Sequence, residues 1–362
     1  MTRVTIAVQP RPYEALIESG LLAQAGAHLR RLFPDRQRCF AVTVAPVRRR
    51  WGKKLIRSLS SANWQAKLVE MPDGERHKAL ATVEALAEKL VKLGADRNAV
   101  LLAFGGGVVG DVTGLLASLY MRGVDVVQIP TTVLAQVDAS IGGKTGVNLK
   151  AGKNLVGTFH QPRIVLIDPD VLSTLPEREF RAGLYEALKC GVIGNPGLFH
   201  HMEERREQIL QRDPAELEFL IAESVKLKAE VVSADEREGG LRRVLNFGHT
   251  IGHALEAATS YRRFLHGEAV AWGMIAAANI AAAIGRTDSN TAQRIRNAVL
   301  GFGKLPKIDA RGRSIARLVQ SDKKTRNGVV HFVLPREIGK VEIVNDVLEK
   351  TVVQAVDALR RM

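Results

Sequence analysis

In the first half of the chain, short apolar runs alternate with segments in which apolar residues recur at helical spacing. Runs of about four to eight apolar residues between turn residues are typical of buried strands, and a spacing of three or four residues is typical of amphipathic helices. Strands that alternate with helices indicate a mostly parallel sheet covered on both faces. The pattern predicts helices over 47–59 and 78–93 and strands over 39–44, 64–71, 99–104 and 124–129.

From about Pro176 onwards, apolar residues recur at helical spacing almost to the end of the chain, apart from one predicted strand over 329–334. The segment 269–285 is shorter than the ~20 apolar residues of a membrane span, so we predict a helix buried in the core. The change of pattern predicts an α/β domain over 1–172 with a mostly parallel sheet, and a mainly α-helical domain over 173–362.

The formal net charge is +14, and residues 1–72 hold thirteen Lys and Arg against four Asp and Glu. A basic surface can bind nucleic acid, but no nucleic-acid motif accompanies this one, so we interpret it as a solvated surface and expect no specific nucleic-acid partner. The two cysteines, Cys39 and Cys190, stand far apart in apolar surroundings, which favours a reducing compartment. We therefore expect a cytoplasmic protein without a membrane partner.

A glycine-rich loop at 105–111 follows a predicted strand, precedes a helical pattern and has G-x-G-x-x-G spacing. Glycines let the backbone approach a pyrophosphate, and a helix N-terminus supplies N–H groups. The acidic residue that the Rossmann fingerprint has ~20 residues later is not clearly present, and a tight structural turn explains the glycines equally well. A second loop, 73–78, contains Glu75, which can accept from a ribose hydroxyl, and Lys78, which can meet a phosphate; a capped helix start is the alternative.

The segment 130–154 has no clear periodicity and contains Lys144 and Lys153 beside glycines. Gly142-Gly143-Lys144-Thr145 is similar to the end of a P-loop, but the leading glycine is missing and no helix clearly follows, which excludes an NTPase reading. Lysines between glycines suit phosphate or carboxylate binding. Asp138, among small apolar residues, would be costly to bury unless it pairs with such a lysine.

Three of the nine histidines, His249, His253 and His266, stand within eighteen residues, and Glu186 lies in an earlier helical segment. Imidazoles and a carboxylate are ligands of catalytic zinc, which takes three protein ligands and keeps an open position. The i, i+4 spacing favours His249 and His253 as a ligand pair. The glutamate that follows the first histidine of an H-E-x-x-H metalloprotease is missing. Hydrogen-bonded structural histidines are the alternative.

Together these motifs resemble the 3-dehydroquinate synthase family of the sugar-phosphate cyclase superfamily, from about Asp73 to Leu334 and most specifically in 136–145 and 235–253. The resemblance implies a phosphate-eliminating carbon–oxygen lyase of the shikimate pathway, which leads to chorismate and the aromatic amino acids. Such an enzyme converts 3-deoxy-arabino-heptulosonate 7-phosphate to 3-dehydroquinate and phosphate by transient oxidation with NAD, phosphate elimination, re-reduction and intramolecular aldol closure. The alternatives are another sugar-phosphate cyclase on the same scaffold and a glycerol-dehydrogenase-like oxidoreductase.

The resemblance also implies an NAD-binding first domain and a second domain that binds metal and substrate. Zn²⁺ or Co²⁺ would be held by Glu186, His249 and His266, with His253 beside the metal and contacting substrate, which replaces the pair favoured by spacing. NAD would be bound by Asp73, Glu75, Lys78, Gly105, Gly106, Gly107, Val108, Val109, Gly110, Asp111, Thr131, Thr132, Lys144 and Lys153. The sugar phosphate would be bound by Arg122, Lys144, Asn154, Lys189, Lys228, Arg242, Asn246, His253 and Lys324, with Lys323 as the alternative to Lys324. The catalytic residues would be His253, Lys144, Asp138, Lys189 and Asn246. We also expect a homodimer.

Overall fold

The computed structural model describes the backbone of residues 1–325 and 330–362 and the side chains of residues 1–320 and 330–362. The chain divides into two compact units, Met1–Pro176 with Leu217–Ser233 and Glu177–Glu216 with Ala234–Met362. The sequence pattern placed the division after residue 172, and it gave no sign that Leu217–Ser233 packs with the first unit. Such packing is a long-range contact, which a change of pattern along the chain does not report. The assignment of domains to 1–172 and 173–362 stays a prediction.

The described residues of the first unit form a seven-stranded sheet and a separate two-stranded hairpin. In the sheet the strand order is β1-β2-β9-β6-β5-β3-β4; β1 is antiparallel to β2, and the other neighbours are parallel. The antiparallel hairpin consists of β7 and β8. The strands are β1 (Thr2–Ile6), β2 (Tyr13–Ile17), β3 (Arg38–Thr43), β4 (Gln65–Glu70), β5 (Val100–Gly105), β6 (Asp125–Pro130), β7 (Lys144–Leu149), β8 (Gly152–Phe159) and β9 (Ile164–Ile167).

The sheet is buried on both faces, which explains why its central strands are continuous apolar runs. Successive side chains of a strand point to opposite faces. In β3, accordingly, Phe40 and Val42 belong to one hydrophobic cluster, whereas Cys39 and Ala41 belong to the other. The mostly parallel sheet and the four strands predicted for it are therefore confirmed, with bounds shifted by a residue or two.

Helices cover the first unit's sheet in the order that the helical spacing predicted. The predicted helix 47–59 is observed as a continuous helical stretch that includes a π-helical turn, and 78–93 is observed as a shorter helix. The α-helices are α1 (Ala25–Leu32), α2 (Ala45–Val47), α3 (Lys53–Ser61), α4 (Leu80–Lys92) and α5 (Gly107–Leu119); π-helical turns lie at Arg48–Gly52 and Ala135–Ala139, and 3₁₀ turns at Leu21–Gln24, Glu75–His77, Tyr120–Arg122 and Pro169–Thr174.

Helices dominate the described part of the second unit, as the sequence predicted. Its late strand appears at Phe332–Glu337, paired with a further strand; residue 329 of the predicted strand lies outside the described residues. The elements are α6 (Glu177–Gly194), α7 (Pro196–Glu204), α8 (Arg206–Leu210), α9 (Pro214–Ala234, of which Leu217–Ser233 belongs to the first unit), α10 (His249–Ala258), α11 (His266–Ala283), α12 (Ser289–Gly301), α13 (Gly312–Thr325), β10 (Phe332–Glu337), β11 (Lys340–Val344), α14 (Glu349–Leu359) and a 3₁₀ turn at Leu241–Asn246.

Helix α11 is the centre of the second unit, and it packs against α6, α10, α12, α14 and β10. Most of its residues are buried, which confirms the predicted core helix. Among the described residues, no helix combines the length and apolar character needed to cross a membrane.

Two glycines set how closely α11 approaches its neighbours. A Cβ at Gly267 would lie 1.8 Å from the carbonyl oxygen of Ala182 on α6, and a Cβ at Gly273 would lie 1.8 Å from the carbonyl oxygen of Gly248, which precedes α10. A side chain at either position would push the helices apart. These contacts bring the first residue of α11 close to α6 and to the start of α10.

Candidate metal and cofactor sites

Three histidines converge in the second unit. One ring nitrogen of each of His249, His253 and His266 lies within 4.8 Å of the others, and the ring centroids are 5.2–5.8 Å apart. His249 and His253 share one face of α10, and His266 is the first residue of α11. The sequence showed that these histidines are close along the chain, and the packing of α10 on α11 brings them together in space.

Glu186 on α6 joins this group. Its side chain is fully buried, and its Oε1 lies 3.6 Å from His266 Nε2 and 3.9 Å from His249 Nε2. Among the described residues Oε1 has no hydrogen-bond partner. A buried carboxylate oxygen without a partner is costly, so this atom requires a ligand that the described residues do not supply.

The other oxygen of Glu186 is paired with Lys189. Lys189 Nζ lies 2.5 Å from Glu186 Oε2, and both side chains are almost completely buried. The ammonium supplies the positive charge that a buried carboxylate needs as a partner. The two residues are three apart on α6, so the pair follows directly from helical geometry.

Hydrogen bonds at Nδ1 leave Nε2 of both His249 and His266 directed towards Glu186. His249 Nδ1 lies 3.2 Å from the carbonyl oxygen of Phe247, and His266 Nδ1 lies 3.3 Å from Glu256 Oε2. Burial, followed by the charge of Lys189, lowers the pKa of His249 well below its ordinary value, so that this imidazole is neutral. Neutral imidazoles whose other nitrogen donates to a carbonyl or carboxylate are the usual arrangement of metal ligands.

Glu256 is a residue that the sequence reasoning missed. It is buried on α10, one turn after His253, and its partner His266 belongs to the next helix. A carboxylate one helical turn from a candidate ligand was the available signal. Which histidine it contacts depends on how α10 and α11 pack.

The residues present fit a divalent metal ion. Ligand atoms about 2 Å from one ion in a tetrahedral site lie roughly 3.3 Å apart, close to the 3.6 and 3.9 Å observed around Glu186 Oε1. His253 is exposed and lies within the same cluster. The geometry therefore accommodates both ligand sets that the sequence suggested, and the choice of Glu186, His249 and His266 stays a prediction.

The loop before α10 holds Arg242 and Asn246. Asp235 accepts hydrogen bonds from the backbone N–H groups of Arg242, Gly240 and Gly239, which lower its pKa to about 2. The buried Arg242 donates from its guanidinium to the carbonyl oxygen of Glu236, and Asn246 Nδ2 donates to Glu238 Oε1 at 3.1 Å. The carboxylates of Asp235 and Glu238 thus hold in place the loop that carries the two predicted substrate-binding residues.

In the first unit, most of the predicted cofactor-binding residues lie at one edge of the sheet. The carboxyl ends of parallel strands meet at the same edge, where ligands bind in open α/β sheets. The loop after β4 carries Asp73, Glu75 and Lys78; the loop after β5 is 105–111; and Thr131 and Thr132 follow β6. The strand–loop–helix setting predicted for the glycine-rich loop is present.

Close contacts at the start of α5 are consistent with a phosphate-binding site. A Cβ at Gly106 would lie 3.0 Å from Thr132 Cγ2, and no side chain among those described caps this helix N-terminus. The buried Lys78 forms an ion pair with Asp111 on the first turns of α5. Burial raises the pKa of Asp111, and the charge of Lys78 opposes this. Narrow backbone space and open helix N–H groups are what a pyrophosphate requires.

The segment 130–154 is more regular than the sequence indicated, because it contains a π-helical turn and the β7–β8 hairpin. Asp138 is paired, but with the distant Lys228 instead of a lysine of its own segment: Lys228 Nζ donates to the backbone oxygen of Asp138 at 2.5 Å and to Oδ1 at 2.6 Å. Lys144 begins β7 with an exposed side chain, and Lys153 and Asn154 lie at the start of β8.

One predicted substrate-binding residue of the first unit, Arg122, stands apart from this group. Arg122 lies just before β6, separated from it by Gly123 and Val124, and so lies at the amino edge of the sheet, about 20 Å from the carboxyl edge at ~3.3 Å per strand residue. The structure does not bring it near the loops after β4, β5 and β6 in the first unit. The side chains of Lys323 and Lys324 lie outside the described residues.

The chain matches two family models in succession. They are "3-dehydroquinate synthase N-terminal" over residues 68–182 and "3-dehydroquinate synthase C-terminal" over residues 183–325. The chain is also 58% identical over 360 residues to a 3-dehydroquinate synthase of Koribacter versatilis (strain Ellin345), which covers 99% of this chain and 98% of the relative.

Solved structures of two related cyclases have the same fold. The 2-epi-5-epi-valiolone synthase of Streptomyces hygroscopicus subsp. jinggangensis 5008, with NAD⁺ and Zn²⁺ bound, superposes with a TM-score of 0.89 at 31% identity over 98% of both chains. A 2-deoxy-scyllo-inosose synthase complexed with carbaglucose-6-phosphate, NAD⁺ and Co²⁺ superposes with a TM-score of 0.85 at 26% identity over 99% of both chains.

Proposed function

Because the chain belongs to the 3-dehydroquinate synthase family, we propose that it converts 3-deoxy-arabino-heptulosonate 7-phosphate to 3-dehydroquinate and phosphate. The observation that carries this conclusion is the 58% identity to a 3-dehydroquinate synthase over nearly the whole of both chains. The cyclases with other products are much less similar in sequence. The enzyme is a phosphate-eliminating lyase of the shikimate pathway that works with NAD and a divalent metal ion.

The second unit supplies the metal-binding residues in this proposal. A bound Zn²⁺ or Co²⁺ ion supplies Lewis-acid polarisation of a substrate oxygen and lowers the pKa of a substrate hydroxyl. Glu186, His249 and His266 would hold the ion, while Lys189 pairs with Glu186 and Glu256 orients His266. The exposed His253 faces the substrate and exchanges a proton with it.

The first unit supplies the cofactor-binding residues. Bound NAD supplies a reversible hydride acceptor, so that the substrate is oxidised and later re-reduced without net redox change. The loops after β4, β5 and β6, with Lys144 and Lys153 of the hairpin, bind this cofactor in our proposal. Support comes from the open N-terminus of α5, the narrow space at Gly106 and the buried Lys78–Asp111 pair.

Cationic and amide side chains bind the phosphate and the carboxylate of the substrate. Positioned charges of this kind orient a dianion and stabilise charge that develops as phosphate leaves. The Lys228–Asp138 pair and the ordered Arg242 are already held in place by the protein. The proposed set is Lys144, Asn154, Lys189, Lys228, Arg242, Asn246, His253 and Lys324; Arg122, at the opposite edge of the sheet, stays a prediction.

The reaction itself is tested by measuring phosphate release from 3-deoxy-arabino-heptulosonate 7-phosphate, with NAD and the metal each left out in turn. We expect release to require both, and NADH not to accumulate, because the hydride returns to the substrate. NADH that accumulates in step with product would instead show a net dehydrogenase. Phosphate release from a different sugar phosphate, without release from the heptulosonate, would identify another cyclase.

Lys144→Ala should lower kcat/KM at least about tenfold, because charge-assisted contacts to an anion contribute ~1.5–3 kcal/mol. Its melting temperature without ligands should change little, since the side chain is exposed. Lys144→Arg should restore activity only partly, because a guanidinium differs in size and shape from an ammonium. Steady-state kinetics and thermal unfolding measure both effects.

Lys150→Ala is the matched control for Lys144→Ala, because Lys150 is an exposed lysine beside the same hairpin that has no proposed role. It should leave kcat/KM within about twofold of the wild type. Near-normal activity of Lys144→Ala, or a loss that merely follows lost folding, would contradict the role of Lys144.

We also propose a cytoplasmic location. Both cysteines are buried thiols, the state that a reducing compartment maintains. The expected homodimer stays a prediction, and sedimentation or light scattering would measure it.

A further inference from the structure

Asn148 lies on β7, next to an irregularity in the pairing of the hairpin. The register of β7 with β8 shifts between Val147 and Leu149, so that Asn148 is released from regular pairing. Side chains at such irregularities are turned away from the ladder and often serve a specific purpose. Neither the sequence motifs nor the resemblance assigned this residue a role.

Three hydrogen bonds join Asn148 to residues proposed to bind cofactor and substrate. Its backbone N–H donates to the carbonyl oxygen of Lys78 at 2.8 Å, and its side-chain Nδ2 donates to Glu75 Oε1 at 2.9 Å. Its Oδ1 accepts from the backbone N–H of Asn154 at 2.9 Å. One residue thus connects the loop after β4 with the start of β8.

The chemistry of these partners explains why an amide stands at this position. A carboxylate must accept, and a backbone N–H must donate, so the side chain between them needs one donor and one acceptor. Aspartate would supply two acceptors and a second negative charge beside Glu75. Alanine would supply neither group.

The arrangement around Asn148 holds strained and charged residues in place. Asn154 has a φ of 55°, a left-handed conformation that few residues other than glycine adopt without support. Lys153 Nζ lies 3.8 Å from the same Glu75 Oε1 that Asn148 contacts, and Lys78 pairs with Asp111. Asn148 is therefore the common partner of two segments that the proposed function assigns to NAD and to the sugar phosphate.

We propose that Asn148 is a positioning residue, which holds Glu75 and Lys78 on one side and Asn154 on the other in the arrangement that binds NAD. This inference rests on the proposed function for the identity of the ligand. The affinity for NAD should therefore depend on the hydrogen bond that Asn148 donates to Glu75. Exchanging the donor and the acceptor between these two residues should restore the affinity.

A double-mutant cycle with NAD⁺ as the probe tests this, with binding measured by calorimetry in the absence of substrate. Asn148→Asp should raise the Kd for NAD⁺ at least about tenfold, because a hydrogen bond to a charged group is exchanged for repulsion. In the Glu75→Gln background the same substitution should change the Kd by less than about threefold, since the amide of Gln donates to the new carboxylate. Asn290→Asp, at an exposed position of the second unit, controls for the added charge and should have no effect.

A second readout needs no ligand. Hydrogen exchange of residues 73–79 and 150–156 should become faster in Asn148→Asp and return towards the wild-type rate in the double variant. If Asn148→Asp does not fold, Asn148→Ala with and without Glu75→Ala completes the same cycle. An equal effect of the Asn148 substitution in both backgrounds would overturn the inference.

The outcomes separate this inference from the proposed function. If the wild type binds NAD⁺ and the two substitutions are simply additive, the positioning role fails while the proposed function stands. If NAD⁺ binds and the cycle shows coupling but no phosphate is released from the heptulosonate, the reaction assignment fails and the role of Asn148 stands. If the wild type does not bind NAD⁺, both fail.

Discussion

Glu186→Gln is expected to lower zinc affinity by at least about a hundredfold and to remove most of the activity. The carboxylate oxygen Oε1 is buried, has no hydrogen-bond partner in the described part of the chain, and faces Nε2 of His249 and of His266. An amide of the same size keeps the shape but removes the charge that binds the ion. Residues that merely support a ligand contribute 10–100-fold to metal affinity, so a ligand itself should contribute more. Competition with a chelator and elemental analysis measure the loss.

The companion variants distinguish the two possible ligand sets. His249→Ala and His266→Ala should lose zinc as Glu186→Gln does, whereas His253→Ala should keep zinc and lose turnover. Glu256→Gln should weaken zinc binding less than Glu186→Gln, because it changes the orientation of His266 and not the ligand itself. Full zinc occupancy in Glu186→Gln with loss in His253→Ala would favour the histidine pair that the i, i+4 spacing suggested.

Lys189→Met should lower the unfolding free energy of the metal-free protein by about 3–5 kcal/mol. The substitution leaves Glu186 buried without its cation, and breaking a buried ion pair by removing one partner costs this much. Glu186→Gln with Lys189→Met should be less destabilised than Lys189→Met, because no uncompensated charge remains. Saturating zinc should recover part of the loss, since the ion supplies a new positive charge. Urea unfolding with and without a chelator measures each value.

An exposed ion pair with the same spacing provides the control for Lys189→Met. Lys226 and Glu223 are also three residues apart, at 2.6 Å, but their side chains are 49% and 23% exposed, compared with 2% and 0% for Lys189 and Glu186. Lys226→Met should therefore cost less than about 1 kcal/mol. Equal costs at the two positions would show that burial of the Glu186 pair does not matter.

The sequence was informative about the fold where the pattern is strong. The central strands of the sheet are long apolar runs because both faces are covered, and the helical spacing of the second half reflects helices with one buried face. The edge strand β1, the strands β2, β9 and β11, and the hairpin β7–β8 were missed. Strand β8 has no fully buried position, so it carries neither a continuous nor a cleanly alternating apolar pattern.

The candidate site divides in the same way between local and long-range information. The glycine-rich loop, the i, i+4 histidines and the Glu186–Lys189 spacing are local features of the sequence. The partner of Asp138 was expected among lysines of its own segment, and the structure supplies Lys228, ninety positions later in the chain. The contacts of Glu256 with His266 and of Asn148 with Glu75 likewise join residues of different elements.

By itself the sequence determined four of the parallel strands and the helical character of the second half, the loops that follow those strands, and which side chains have the chemistry to hold a metal ion and anions. These properties depend on residues within about one helical turn or one strand of each other, where periodicity and spacing fix the geometry. The tertiary structure decided which of those side chains meet. Gly267 and Gly273 allow α11 to approach α6 and α10 closely enough for Glu186, His249 and His266 to share one small space. That proximity arises from packing between distant segments, which the spacing of residues along a single chain does not encode.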